Sequence, residues 1–145
     1  MSAAADPATS LQLRRHFAAP RERVFRAWLE REALEQWFRP MGRPVRVSQL
    51  DAQVGGSFQF ESQAADGTHH LTTGRYLEIR FPERLVFTWV ANAPDGHESL
   101  VSLEFLERDG GTEVVLTHER FGGDMHIERY QQGWTTVLER LAAAL

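Results

Sequence analysis

The chain has 145 residues, enough for one domain around one core, and 42% of them are apolar. Its net charge of −4 lacks the basic footprint of a nucleic-acid binder, and all 16 basic residues are arginine, which excludes Schiff-base chemistry on a lysine. The absence of cysteine removes disulfides, thiol nucleophiles and thiolate metal sites, and fits the cytoplasm.

Residues 1–10, MSAAADPATS, are small and polar and are expected to be disordered ahead of a single domain over 11–145. They have neither the charged nor the apolar region of a signal peptide. No apolar run reaches the length of a membrane span. Leu11 and Leu13 alternate in LQLRRHF, which predicts a strand over 11–17. Pro20 suits a helix start, and Val24, Phe25, Trp28 and Leu29 form an apolar stripe at helical spacing. A second short helix is expected over 32–38, closed by Pro40.

The period then changes to two. Strands are predicted over 45–50, 56–62, 71–81, 84–90, 99–107 and 112–120. Gly74 interrupts the third of these and suggests a bulge. Turn signals stand between the strands at ADG (65–67), PDG (94–96) and DGG (109–111). Asp51, Gly55 and Gly56 read as another turn, because a strand follows the glycines where a phosphate loop would need a helix. Asp124 is a suitable N-cap for a terminal helix over 126–145, whose stripe is Ile127, Tyr130, Trp134, Val137, Leu138, Leu141 and Leu145. The order is strand, two helices, about six antiparallel strands, then a long helix across one face of a curved sheet, an α+β arrangement.

Five segments in this order, WFRP (37–40), LDAQVGGSFQFE (50–61), GRYLEIRFPERLVFTW (74–89), GGTEVVLTHERF (110–121) and GWTTVLERLAAAL (133–145), closely resemble the Hsp90-ATPase-activator-homologue-like branch of the START-like (SRPBCC) superfamily. The resemblance covers nearly all of 11–145. It departs at Phe38, where a second tryptophan is common after Trp37, and at Phe81, where another proline is common before Pro82. It implies a helix-grip fold, a sheet wrapped on the terminal helix, often with a deep apolar cavity between them. Members of the superfamily bind lipids, hormones and polyketides, or act as cyclases and ring-hydroxylating oxygenase domains. The eukaryotic namesake contacts the Hsp90 chaperone, and stand-alone bacterial members mostly have no assigned activity. The resemblance therefore fixes fold more firmly than function.

Trp37, Phe38, Phe58, Phe60, Tyr76, Phe87, Trp89 and Trp134 are the aromatic residues expected inside, either filling the core or walling a cavity for a small apolar or amphipathic ligand. His118 shares a strand face with Val114 and Leu116, so it is expected to be buried with a hydrogen-bond partner, either as a structural group or as one that orients a ligand or moves a proton. Tyr130 and Tyr76 could add hydroxyls to the same space. No HxH or HxxxH spacing, nucleophile elbow or carboxylate pair appears, and nothing calls for a cofactor or metal. Ser102 is expected to face solvent.

Gly133 lies inside the terminal helix, where glycine costs about 1 kcal/mol relative to alanine. Either it allows a close helix approach or its missing side chain belongs to a ligand cavity walled by Trp134. Three functions are compatible with these residues: a cavity protein for a small apolar molecule, an enzyme using that cavity with His118 or Tyr76 as acid or base, and an interaction protein of chaperone or stress-response type. The first is favoured and requires an enclosed cavity above roughly 300 Å³. Val86, Val90 and Leu106, assigned to the outer sheet face, would allow a homodimer through that face.

Overall fold

Alternation along the strands generates a single seven-stranded sheet in this computed structural model, which describes residues 10–91, 96–121 and 127–145. The elements are β1 (Leu11–Phe17), α1 (Arg21–Arg26), α2 (Arg31–Trp37), a 3-10 turn (Pro40–Gly42), β2 (Val45–Leu50), β3 (Ser57–Gln63), β4 (His69–Arg80), β5 (Arg84–Ala91), β6 (Glu98–Arg108), β7 (Gly111–Glu119) and α3 (Ile127–Ala144). All pairings are antiparallel. β2 to β7 form a meander, and β1 closes it beside β7, giving the order β1-β7-β6-β5-β4-β3-β2. The expected α+β helix-grip arrangement is the observed one. Ser10, expected to be disordered, is buried. The rest of the amino-terminal segment, Asp124, His126 and part of the PDG turn lie outside the described residues.

Local chemistry explains the connections. Asp109 and Gly110 both have positive φ between the paired Arg108 and Gly111, the two-residue turn that matches strand twist. Pro20 caps α1 from the position just before it, and neither α1 nor α2 has a side-chain N-cap. At 6 and 7 residues these helices are too short to persist without tertiary packing. Glu35 of α2 adds one tie: its carboxylate accepts the Val47 backbone N–H of edge strand β2 at 2.9 Å.

The bulge expected at Gly74 falls later, where the β4–β5 register shifts between Tyr76 and Glu78. Gly74 answers a different need. It pairs with Phe58, and a Cβ there would collide with the Phe58 ring and the Thr88 carbonyl oxygen. The ring lies where a side chain would stand.

The inner sheet face carries Leu85, Phe87 and Trp89 of β5, Val101, Leu103 and Phe105 of β6, and Val114 and Leu116 of β7, all buried. α3 adds Trp134, Val137, Leu138 and Leu141 to the same core, with Ile127, Tyr130 and Leu145 partly buried against it. No described helix is long and apolar enough to cross a membrane. Ser102 lies on the outer face but is only 9% exposed, contrary to the expected solvent-facing position, and Val86 beside it is also buried.

Candidate functional site

The eight aromatic residues expected inside are all buried, and with His118 and the partly buried Tyr130 they divide into three settings. Phe38, Phe58, Phe60, Tyr76, Phe87, Trp89 and Trp134 border one interior void, together with Trp28 and Leu34. Its volume is about 20 Å³, room for roughly one water-sized sphere. The expected enclosed cavity above roughly 300 Å³ is absent there. The rings interlock instead: Phe38 lies 5.0 Å from Phe60, Phe58 4.9 Å from Phe60, and Trp89 5.2 Å from Trp134, centroid to centroid. None of the nine bordering residues is charged.

Trp37 faces elsewhere. It borders an open groove of about 390 Å³ between α1, α2 and the carboxyl-terminal end of α3, with Leu141 and Leu145 on its apolar side and Arg23 and Arg26 on its polar side. Its ring meets Trp28 edge-on at 4.7 Å, and its Nε1 donates to the Ala27 carbonyl at 3.0 Å. One ring pair therefore separates the groove from the void. Trp28 and Leu34 were missing from the expected lining. Trp28 was visible only as part of a helical stripe, and it lies just past the end of α1.

His118 and Tyr130 form the third setting, a satellite cluster with Phe121 that does not border the void. Trp134 Nε1 donates to His118 Nδ1 at 3.0 Å. Indole nitrogen can only donate, so Nδ1 is the acceptor and the neutral ring carries its proton on Nε2. Nε2–H then donates to Ser99 Oγ at 2.7 Å, and Ser99 donates to the Trp89 carbonyl at 3.1 Å. Ser99 continues the inward face of Val101 and Leu103, a signal present in the alternation of β6. The chain of donors runs from α3 through β7 and β6 to β5 and leaves no imidazole nitrogen free.

His118 has no exposed surface, and burial lowers its pKa to about 3. Acid–base catalysis by His118, held open by the sequence, does not fit these facts: the ring is closed on both nitrogens and bound to the wall of the void. Its Nδ1 instead holds the Trp134 indole N–H. Burial also raises the pKa of Tyr76, with the charge of Asp51 acting in the same direction, so its phenol stays protonated and is a poor acid. Burial raises that of Tyr130, partly offset by the nearby Trp89 N–H.

Among the described residues, no group of three or more potential ligands could hold a metal ion. His69 meets Glu61 at 3.2 Å at the start of β4. Neither reading of Gly133 holds: a Cβ there would meet nothing within 4 Å, and the residue borders neither the void nor the groove.

Residues 18–145 match the family described as Activator of Hsp90 ATPase homolog 1-like protein. The chain belongs to that family. Among solved structures, a protein of Chromobacterium violaceum is 32% identical, with a TM-score of 0.87 over 93% of this chain and 96% of the other. A putative uncharacterized protein of Rhizobium leguminosarum is 26% identical, with a TM-score of 0.78 over 93% and 92%. A protein of Mycobacterium smegmatis, 20% identical with a TM-score of 0.82 over 100% and 96%, shares the fold. No curated protein matches the chain. These solved structures share the sheet and the gripped helix.

Proposed function

We propose that this family member binds a small apolar or amphipathic molecule between the sheet and α3, admitting it past the Trp28–Trp37 pair. The observation that carries the reading is the uncharged, ring-lined void lying one ring pair inside a groove of about 390 Å³. Rings offer large flat apolar area, and a charge-free lining favours ligands that prefer oil to water. A void of about 20 Å³ holds no organic molecule and does not meet the cavity size expected from the sequence, so the reading now depends on the α1–α2 segment lifting to open the space. That segment suits movement: two short uncapped helices joined through Trp28 and held by packing, while the sheet behind them is continuously hydrogen-bonded.

The catalytic alternative has one titratable group at the void, the Tyr76 phenol, which burial keeps protonated, and no second group to pair with it there. The interaction alternative rests on Val54, Leu77 and Phe81, the exposed large apolar residues among those described, and Phe81 already packs on Phe25 and under the Arg26 guanidinium.

The test is native mass spectrometry of freshly purified protein against its denatured mass, followed by titration with neutral naphthalene derivatives read by tryptophan fluorescence. A retained mass or a saturable fluorescence change supports binding. A bare mass together with no saturable change overturns it.

A further inference from the structure

The indole N–H groups at and beside the interior void are unequally engaged. Trp134 N–H is taken by His118, and the adjacent Trp37 N–H by the Ala27 carbonyl. Trp89 Nε1 also closes no hydrogen bond, but it lies near enough to the Tyr130 hydroxyl to lower that group's pKa, and so has a polar neighbour. Trp28 Nε1 has neither resource. It is buried, its residue is 5% exposed and borders the void, and the N–H has no partner among the described residues. A buried donor without an acceptor is costly, and native structures seldom keep one without a reason.

Resting on the binding reading above, we infer that the Trp28 indole N–H is the polar anchor of the interior site, and that the site selects neutral molecules pairing an apolar body with a hydrogen-bond-accepting oxygen, such as an aryl ketone, aldehyde or ester. A hydrocarbon would leave the donor unmet. A carboxylate or ammonium would be stripped of water among residues that offer no counter-charge. The preference is thus for an acceptor-bearing molecule over a hydrocarbon and for neutral over charged.

The experiment compares 2-acetonaphthone with its near-isostere 2-isopropenylnaphthalene, which replaces the carbonyl oxygen by a methylene, on the wild type and on Trp28→Phe. The ratio of ketone to alkene affinity is expected to fall roughly three- to tenfold in the variant, the value of one neutral hydrogen bond. 2-Naphthoate is expected to bind more weakly than the ketone. On the wild type alone, the Trp28 indole N–H proton resonance should move downfield with ketone and not with alkene, a readout that does not depend on the variant folding. If both probes bind, with an unchanged ratio and no selective shift, the anchor is overturned and the binding site stands. If neither probe binds the wild type, the binding reading fails with it.

Discussion

Trp134 Nε1 lies 3.0 Å from His118 Nδ1, and this bond ties the gripped helix to β7. It also fixes which nitrogen of the imidazole carries the proton, because the indole can only donate. Replacing Trp134 by phenylalanine keeps a ring in the core but leaves a buried acceptor bare, at an expected cost of about 1–3 kcal/mol. Urea unfolding of Trp134→Phe at neutral pH measures it. A loss below a few tenths of a kcal/mol would mean that the bond contributes nothing to the fold.

The same imidazole sets a pH dependence. Its pKa is about 3 when folded and near 6.5 when unfolded. Between those values the unfolded chain holds a proton that the folded chain does not, so stability falls as pH falls from 6.5 towards 3, by at most about 1.4 kcal/mol per pH unit. Glu61 and Asp66, held low chiefly by hydrogen bonds with Ser48 and Thr68, act in the same direction at lower pH. Comparing unfolding free energies of the wild type and His118→Gln at pH 7, 6, 5 and 4 isolates the histidine. The variant should show the shallower slope; equal slopes would place the effect in the carboxylates.

Gly133→Ala is expected to stabilise the protein by about 0.5–1 kcal/mol, since helix propensity improves and the added methyl meets nothing. A raised urea midpoint with an unchanged slope is the predicted result. A loss of stability would reveal a contact made only in motion.

Gly74→Ala should do the reverse. The new methyl would strike the Thr88 carbonyl oxygen and the Phe58 ring, and the carbonyl belongs to a sheet that cannot yield locally. A loss of more than about 2 kcal/mol is expected. Near-wild-type unfolding would show that β4 can shift under Phe58.

Trp37→Phe removes the bond from the indole to the Ala27 carbonyl while keeping a ring against Trp28. Stability should drop by about 1 kcal/mol. Stopped-flow uptake of 2-acetonaphthone should become faster if the ring pair is the entrance, and an unchanged rate would put the entrance elsewhere.

The fold was legible because its signals are local. Period-two alternation placed Leu85, Phe87 and Trp89 inward, and DGG placed the β6–β7 turn. The site was harder to read because its facts are not local. Ser99 and His118 stand 19 positions apart and meet diagonally across a hairpin. Trp28 and Trp37 carry similar local signals, yet one borders the interior and the other the groove, a difference set by tertiary packing, with α1 against β6 and β7 and α2 against α3 and β2. Alternation predicts that Phe58 points inward; it does not predict that the ring will lie over Gly74. The filled interior was invisible for the same reason, since volume depends on how rings interlock and not on how many there are.

The Glu35 carboxylate holding the Val47 amide has a bearing on self-association. β2 is an outermost strand of the sheet, and α2 shields one of its donors. If α2 lifts to admit a molecule, as proposed above, that carboxylate is unhooked and the strand is left able to recruit another extended chain. On that proposal, admission of a ligand and protection against fibril-like pairing would draw on the same α2 contact, and a cargo that lets α2 settle back would also act as the protein's own safeguard against clumping.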